Sequence, residues 1–583
     1  MKKHFLLALC LLCCNLCFSQ ISGDYLELTD TKPHDDETAW NKQPSAPQIS
    51  WGSTDVRYAK LNVPVLAKTS TWKTTAWRGE RVNAQAVVWT KTDVSNLRIS
   101  VGDLRCGSSI IPSSNIKPSF VRYVMTDELN KDGKGACGHR ENKAEWDSSI
   151  VADVLYKPEI KEIKAHSAQP VWVNIHVPQD VKAGVYKGTL TVSGSGFSEM
   201  KLNMEIAVTG RVLPSPKEWA FHLDLWQNPY SVARYHNVPL WSDAHFEAMR
   251  PVMKILAGAG QKVITTTIMH KPWNGQTEDH FNSMVSKIKN IDGTWSYDYA
   301  VFDKWVEFMM SVGIDKQINC YTLIPWALKF DYYDKATNSI QFIEAKPGDA
   351  AYENYWKPFL KDFASHLRSK GWFERTTIAM DERGLEAMRE AIKVIRMADP
   401  DYKISLAGNY HEEIESELYD YCLAFGYNFP EETKVVRDKA GKVSTVYTCC
   451  AEARPNTFTF SPPAEAAWIG WHAAAGNYSG YLRWAYNSWT NDPLRDSRFR
   501  TWAAGDCYIV YPHGYSSIRM ERFIEGVQDY EKIRILCKEF EDKKATGSLK
   551  KLNTAVSMFS AENIWNRDAT ADVNAARKVL NSF

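Results

Sequence analysis

The feature that most constrains the fold of this chain is an alternation of two sequence periods from about residue 220 to about residue 540. Short apolar runs of strand length alternate with longer segments whose apolar residues recur every three or four positions. Such alternation is typical of a parallel sheet, and eight repeats over about 320 residues predict a (β/α)8 TIM-like barrel. The predicted strands are 221–226, 262–269, 317–323, 376–380, 403–408, 421–426, 444–450 and 481–486.

The residues before this alternation show a period of two instead. Alternating apolar and polar positions, separated by turns that contain glycine or proline, occupy residues 81–91, 170–178, 184–194 and 201–210. Short alternating strands at this spacing predict an all-β sandwich. A polar segment, 126–147, interrupts the pattern. We interpret it as a surface loop, with the alternative that it leans over a neighbouring active site.

A chain of 583 residues is long enough for two or three domains. Two prolines mark a linker between the two textures, and the last residues have the composition of one or two packed helices. We therefore predict a multidomain chain with a signal peptide (1–19), a β-sandwich (20–210), a linker (211–219), a barrel (220–540) and a short helical tail (541–583) packed on the barrel.

The first twenty residues, MKKHFLLALCLLCCNLCFSQ, have the composition of an export signal. A basic start precedes an apolar run that is too short for a stable membrane span. We expect cleavage after Ser19, which delivers the protein to the periplasm or the extracellular space. Lipid anchoring is the less favoured alternative, because leucine or cysteine precedes each cysteine of the run where a lipid-attachment signal uses a small residue. No later segment has the roughly 18 apolar residues of a membrane helix.

Charge and cysteine spacing exclude several classes of protein. The formal net charge of +1 gives no excess that would attract nucleic acid or an anionic membrane. The eight cysteines outside the signal are scattered without a Cys-x-x-Cys pair, and the 14 histidines lack metal-ligand spacing. We therefore expect neither a disulfide framework nor a metal site.

The chain is rich in aromatic residues, with 22 Trp, 27 Tyr and 23 Phe. Most of them are expected in the core. Aromatic faces also stack on the apolar C–H faces of sugar rings, so carbohydrate binding is the less favoured alternative explanation of this composition.

The active site of a parallel barrel lies at the C-terminal ends of its strands. Acids, aromatics and amides follow the predicted strands, a combination that suits a carbohydrate pocket, although loops are polar in any protein and a single tryptophan there more often packs. By position, the candidate sugar contacts are His270, Trp326, Asn409, Tyr427, Tyr486, Asn487 and Trp489.

The fourth predicted strand ends in two adjacent acids, within IAMDERGLEAM (378–388). Alternation along the strand directs Ile378 and Met380 toward the helices and Asp381 into the barrel mouth. Glu382 lies one residue further and reaches over the rim, so both carboxylates can enter one pocket. The alternative is a helix N-terminus, where the helix dipole favours acids.

Two catalytic mechanisms can use this pair. In a two-carboxylate retaining glycosidase, the acid and the nucleophile lie about 5 Å apart across the scissile bond. Adjacent residues suit that geometry poorly, so Glu452, after the seventh strand, is the candidate nucleophile opposite Glu382. In a substrate-assisted reaction the 2-acetamido oxygen of the sugar attacks instead, with Glu382 as acid/base and Asp381 as the partner of the acetamide. A third alternative is a secreted glycan-binding barrel without catalysis.

The chain resembles glycoside hydrolase family 123, the β-N-acetylgalactosaminidases, in three respects. These are the strand end IAMDERG, the late segment GDCYIVYPHG…SIRMERFIEGVQDYE (505–531) and the order of export signal, sandwich and barrel. The resemblance implies exo-hydrolysis of terminal β-linked N-acetylgalactosamine from glycans, including glycosphingolipid headgroups, with retention through the acetamido group. It implies that Asp381 stabilises an oxazolinium ion, that Glu382 is the acid/base and that no metal or organic cofactor takes part. The choice between galacto and gluco sugars stays open.

Overall fold

The structure is a computed structural model that describes residues 26–32, 34, 37–128, 137, 146 and 148–583. The predicted signal peptide, 1–19, and most of the polar segment 126–147 lie outside the described residues.

The regular elements of the described residues follow the two predicted textures, with strands first and alternating strands and helices later. The strands are β1 (Gln48–Gly52), β2 (Thr71–Arg78), β3 (Arg81–Thr90), β4 (Val94–Val101), β5 (Leu104–Cys106), β6 (Ser109–Ile111), β7 (Ile116–Thr126), β8 (Ser149–Leu155), β9 (Glu159–Ile163), β10 (Ser167–His176), β11 (Gly184–Ser195), β12 (Met200–Val212), β13 (His222–Leu225), β14 (Val263–Thr267), β15 (Ser286–Lys289), β16 (Trp295–Asp298), β17 (Gln317–Tyr321), β18 (Lys329–Asp334), β19 (Ser339–Glu344), β20 (Thr376–Met380), β21 (Lys403–Gly408), β22 (Asp420–Ala424), β23 (Val443–Tyr447) and β24 (Gly480–Arg483). The helices are α1 (Glu37–Asn41), α2 (Pro229–His236), α3 (Asp243–Gly258), α4 (Ala300–Ser311), α5 (Ala350–Ser369), α6 (Leu385–Ala398), α7 (Glu412–Glu415), α8 (Glu431–Lys439), α9 (Pro463–Ala475), α10 (Ile518–Asp542), α11 (Thr546–Val556) and α12 (Ala569–Leu580). No helix among the described residues combines the length and apolarity needed to cross a membrane.

The N-terminal part is the predicted all-β sandwich. One sheet has the strand order β1-β3-β10-β7-β8, and the other has the order β2-β12-β11-β4-β9 with the β5–β6 hairpin beside β11. Alternation along β3 explains the layering. Val82, Ala84 and Val88 pack into the core between the sheets, while Val87 and Trp89 pack into a separate cluster on the opposite face.

The C-terminal part is the predicted barrel of eight parallel strands, in the order β13-β24-β23-β22-β21-β20-β17-β14. Each of the eight predicted strands overlaps one of them. The ring is nearly closed, since an isolated backbone bridge joins Leu223 of β13 to Gln261, two residues before β14. Side-chain amides complete this seam: Gln261 accepts the N–H of Leu225 at 3.0 Å, and Gln227 accepts the N–H of Thr265 at 2.9 Å.

Strand β20 carries the acidic pair, and its side chains alternate as the sequence predicts. Ile378 and Met380 pack into the large core that includes the surrounding helices. Thr377 points into the barrel, where its hydroxyl donates to the side chain of Asn319 at 2.6 Å. Residue Asp381, next in the inward series, therefore begins at the barrel mouth.

Two further parts surround the barrel. A small sheet in the order β16-β15-β18-β19, which the sequence did not predict, is inserted in the loops after β14 and β17. Its strands are short and mostly polar, so their apolar period is too weak to read. The C-terminal helices α11 and α12 pack against α9 and α10, and Arg577 of α12 reaches Asp529 of α10 at 2.6 Å.

A buried carboxylate joins the sandwich to the barrel. Asp153 of β8 lies between Arg57, at 3.0 Å, and Arg519 of α10, at 2.9 Å. The Tyr511 hydroxyl donates to the same carboxylate at 2.6 Å. Because removing one partner of a buried ion pair leaves an uncompensated charge, a substitution at Asp153 or Arg519 is expected to weaken the contact between the two domains.

The sequence predicted no disulfide framework, and it gave no indication of the one disulfide that the structure has among its described residues. Cys137, in the polar segment of the sandwich, is bonded to Cys450, in the loop after β23. The two residues are 313 positions apart, and only the docking of the domains brings them together, so their spacing in the sequence carried no sign of the bond. Six other described cysteines are free, and three of these are buried: Cys320, Cys422 and Cys507.

This cross-link predicts a redox-dependent stability. Replacing Cys450 by serine should lower the Tm, since a disulfide typically contributes about 2–4 kcal/mol by restricting the unfolded chain. Thermal melts with and without a reducing agent measure the effect. Cys537→Ser, at a free thiol of α10, is the matched control and should melt like the wild type. A wild-type Tm that the reducing agent leaves unchanged would contradict the prediction.

Candidate active site

The carboxylate of Asp381 is enclosed at the end of β20. Its Oδ2 accepts the indole N–H of Trp273 at 3.0 Å and that of Trp326 at 3.1 Å. Nη2 of Arg383 lies 3.4 Å from the same oxygen. The loops after β14 and β17 therefore supply neutral hydrogen-bond donors to Asp381, and Arg383, two residues further along the chain, supplies a positive charge.

The second oxygen of Asp381 is also buried but receives no hydrogen bond from the described residues. Nη2 of Arg383 lies 3.3 Å from it, outside hydrogen-bonding geometry. Burial raises the pKa of Asp381 above its ordinary value, against the opposing effects of Arg383 and the Trp326 N–H. A buried acceptor without a donor is costly in a resting protein and is available to a ligand that carries an N–H.

The neighbouring Glu382 is exposed and points to another side of the mouth. Its Oε1 accepts the hydroxyl proton of Tyr447, the last residue of β23. Burial raises the pKa of Tyr447, and the charge of Glu382 raises it further. The two adjacent carboxylates are thus held by different strands of the barrel.

Aromatic rings form the wall of the mouth around Asp381. Trp226 stacks on Trp273 with ring centroids 4.9 Å apart, and Tyr321 contacts both at 4.5 and 5.2 Å. Trp326 has 44% of its surface exposed, and the Arg383 guanidinium lies 5.3 Å from its ring. This wall excludes water from Asp381 and presents flat apolar faces beside it.

A buried polar network fixes the loops after β23 and β24. Arg483, at the end of β24, pairs with Asp506 at 2.5 Å and donates to Asn456 at 2.9 Å. Asn456 in turn donates to the carbonyls of Cys449 and Glu452 at 2.8 and 2.7 Å. Asp506 belongs to the late segment, 505–531, that carries the family resemblance. This segment therefore helps to hold the loops after β23 and β24 in place.

Glu452, the alternative nucleophile, is engaged by its own loop. Its Oε2 accepts the N–H of Cys449 at 2.7 Å. Burial raises the pKa of Glu452, and this backbone N–H opposes the rise. The residue therefore closes the loop after β23, and no hydrogen bond links it to Glu382 in the described part of the chain.

Three predicted sugar contacts have their side chains in the protein core. Tyr486 is fully buried, and its hydroxyl donates to the carbonyl of Val252 at 2.8 Å. The side-chain amide of Asn487 donates to the carbonyl of Asn228 at 2.8 Å and accepts the N–H of Asn228 at 2.9 Å. The indole of Trp489 donates to the Val510 carbonyl, also at 2.8 Å. These groups support the barrel wall, because predicted strand 481–486 ends earlier, at Arg483.

The other predicted contacts lie nearer to the surface. His270 is partly exposed. Its backbone N–H donates to the Asp331 carboxylate at 3.1 Å, and its ring Nδ1 lies 3.0 Å from Oδ1 of Asn282. Asn409 is exposed, and Tyr427 has 51% of its surface exposed. Of the seven positions, only Trp326 has a side chain bonded to the acidic pair.

The sequence did not identify Tyr447 as a site residue. The strand predicted over 444–450 has this residue in its interior, but β23 ends at Tyr447 itself. A shorter strand would have moved it into the group of strand-end residues. The acidic pair does lie just before a helix, since α6 begins at Leu385, but no side chain caps that helix.

Groups that could hold a metal are absent from the described residues, where no cluster of three or more His, Cys, Asp or Glu side chains has suitable geometry.

An eight-stranded parallel barrel with two carboxylates and tryptophans at a strand end is an arrangement that suits a glycoside hydrolase. Residues 226–536 match the glycoside hydrolase 123 catalytic domain, and residues 51–194 match the glycoside hydrolase 123 N-terminal domain. The chain therefore belongs to glycoside hydrolase family 123.

A family 123 glycoside hydrolase from Clostridium perfringens, described for glycolipid glycan hydrolysis, has a similar structure. It is 26% identical, with a TM-score of 0.81, and the match covers 92% of this chain and 98% of that one. A family 5 xyloglucanase from Bacteroides ovatus is 10% identical, with a TM-score of 0.30 over 82% of this chain and 100% of its own. That score is too low to support any functional argument. No curated protein matches the chain.

The position of Glu452 predicts that its charge is dispensable. Glu452→Gln keeps an oxygen that can accept the Cys449 N–H, so we expect kcat/KM within a few-fold of wild type. Glu452→Ala loses the acceptor and should lower the Tm. Steady-state kinetics and thermal melts measure both effects. A loss in Glu452→Gln as large as that in Glu382→Gln would instead identify Glu452 as a second reacting carboxylate.

Proposed function

We propose that this protein is an exo-acting β-N-acetylgalactosaminidase that works by a retaining, substrate-assisted mechanism. The observation that carries the proposal is the buried Oδ1 of Asp381, which lies 3.3 Å from the Arg383 guanidinium but accepts no hydrogen bond from the described residues. An acetamido N–H is a donor of the kind this acceptor lacks, and an aromatic wall beside it suits the acetamide methyl group. A ligand with a 2-hydroxyl group lacks both the N–H and the methyl.

In the first step, the acetamide carbonyl oxygen attacks C1 of the sugar and forms the oxazolinium ion. The bond between C1 and the leaving oxygen breaks, and its electron pair goes to that oxygen. Glu382 supplies the proton that neutralises it. Asp381 accepts the amide N–H, which orients the carbonyl and stabilises the positive charge that develops on the ring.

In the second step, Glu382 is ionised and acts as the base. It takes a proton from water, and the water oxygen attacks C1 and reopens the oxazolinium ring. Two inversions at C1 give net retention. The acetamido group performs the role that a second carboxylate has in other retaining glycosidases, which agrees with the engagement of Glu452 in its own loop.

The substrate class follows from the same site together with the family. A terminal β-linked N-acetylgalactosamine on a glycan or on a glycosphingolipid headgroup is the proposed substrate. The preference for galacto over gluco rests on the family resemblance. The related enzyme from Clostridium perfringens is described for glycolipid glycan hydrolysis, which supports a glycolipid as one natural substrate.

We further propose that the protein acts outside the cytoplasm, after export. The disulfide between Cys137 and Cys450 supports this location, because such bonds persist in oxidising compartments.

The mechanism predicts a strict requirement for the acetamido group. The p-nitrophenyl β-N-acetylgalactosaminide should be hydrolysed, and the matching β-galactoside should not. A thiazoline mimic of the oxazolinium ion should inhibit strongly. Parallel rate measurements with the N-acetylglucosaminide included test the sugar preference. Comparable hydrolysis of the galactoside would refute the substrate-assisted mechanism.

Asp381→Asn tests the role of the first carboxylate. The substitution replaces the negative charge and presents an NH2 group where acceptors are needed, so kcat should fall by about 100-fold or more. Asp362→Asn is the matched control. Asp362 lies on the outer helix α5 and accepts a hydrogen bond from the Tyr299 hydroxyl, and an amide oxygen can accept the same bond. Wild-type rates in Asp381→Asn would rule out the assigned role.

The indole donors predict the pH dependence. The Trp326 N–H lowers the pKa of Asp381, so Trp326→Phe should raise that pKa further. Only the ionised carboxylate carries the negative charge that stabilises the oxazolinium ion. On lowering the pH, the variant should therefore lose activity at a higher pH than the wild type does. The pH profile of kcat/KM measures the shift. Trp565→Phe, an exposed tryptophan of the tail, should leave the profile unchanged; an unmoved acid limb in Trp326→Phe contradicts the prediction.

A further inference from the structure

The tyrosine at the end of β23 makes a contact that spans the barrel mouth. In the strand order of the barrel, β23 is three positions from β20, so Tyr447 and Glu382 come from well-separated strands. The Tyr447 side chain is almost completely buried among the rings of the mouth. Among the described residues, its hydroxyl has Glu382 as its sole hydrogen-bond partner.

Glu382 itself has few other restraints. It is exposed, and its second carboxylate oxygen, Oε2, has no hydrogen-bond partner in the described part of the chain. An exposed glutamate samples several rotamers, and selecting one costs conformational entropy. The hydroxyl of Tyr447 favours the rotamer in which Oε1 faces the buried tyrosine and leaves Oε2 without a hydrogen bond from the described residues.

We propose that Tyr447 is a positioning residue for the general acid, which holds Glu382 by one oxygen and stabilises the carboxylate as the other oxygen gives up its proton. This inference rests on the proposed function of Glu382 as acid/base. It assigns to Tyr447 a role in proton donation to the leaving group, distinct from any contact with the acetamide.

The proton and electron balance of the step is simple. Oε2–H of Glu382 gives its proton to the glycosidic oxygen, which takes the electron pair of the breaking bond to C1. The negative charge that remains on Glu382 is shared with Oε1, the acceptor of the Tyr447 O–H. A hydrogen bond to a charged acceptor is stronger than one to a neutral acceptor. The contact therefore strengthens toward the transition state, where it accelerates the reaction.

The test compares wild type with Tyr447→Phe on aryl glycosides whose leaving groups differ in pKa. Protonation matters most for a poor leaving group such as phenol and little for 2,4-dinitrophenol. We expect kcat/KM to fall by about 10- to 100-fold for the phenyl glycoside, the size expected for a lost hydrogen bond to a charged group. The loss should shrink toward none for the dinitrophenyl glycoside. Glu382→Gln supplies the reference pattern for complete loss of the acid.

A uniform loss across the series would overturn the inference, because it would mean that Tyr447 acts on the sugar or the acetamide. An unchanged series would overturn it as well. The ratio of kcat/KM between two leaving groups does not depend on the fraction of folded enzyme, so it stays informative even if the variant is less stable. All aryl glycosides of the series carry a sugar that the wild type hydrolyses. The test of Tyr447 therefore does not depend on whether the proposed sugar is correct.

Tyr402→Phe is the matched control. Tyr402 is buried beside the barrel, and its hydroxyl donates to the carbonyl of Leu360 at 2.9 Å. Its removal should affect stability alone. The kcat/KM of Tyr402→Phe divided by that of the wild type should therefore be the same for every leaving group.

Discussion

A carboxylate stays charged inside a protein only where donors replace the water that it loses, and this requirement organises the two central regions of the molecule. Asp153 meets it with Arg519 and a tyrosine hydroxyl at the boundary of the sandwich and the barrel. Asp381 meets it with the indole N–H groups of Trp273 and Trp326 at the barrel mouth. The first arrangement fixes how the domains dock. The second leaves one oxygen without a donor, and that incompleteness makes the site receptive to a ligand.

These two regions are connected through the late segment of the chain. Asp506 pairs with Arg483 behind the loops of β23 and β24, and Arg519, from the same segment, holds Asp153 of the sandwich. A barrel alone would have free loops on this side of the mouth. The docked sandwich restrains them, and the bond between Cys137 and Cys450 does so covalently. The distinctive sequence of the late segment is therefore explained by its contacts, which serve both the domain boundary and the site.

Sequence periodicity predicted the sandwich, the eight barrel strands and the location of the acidic pair, because the period reports which face of an element is buried. It did not predict partners that are distant in the chain. The bond between Cys137 and Cys450 and the contact of Tyr447 with Glu382 both depend on how strands and domains meet. An error of three residues at a strand end had the same effect, since the strand predicted over 444–450 hid Tyr447 within it. Composition likewise could not separate the exposed ring of Trp326 from that of Trp489, which is buried in the core.

The adjacency of the two acids is resolved by their partners. Asp381 is held by the loops after β14 and β17, whereas Glu382 is held from β23, on the other side of β20 in the barrel order. Neighbouring residues thereby have partners on different sides of the barrel mouth, directly after one buried strand. A two-carboxylate mechanism needs its groups on opposite faces of the sugar, which two residues of one strand end cannot easily provide. When the nucleophile arrives with the substrate, the protein has only to orient the acetamide and deliver a proton, and one strand end can do both.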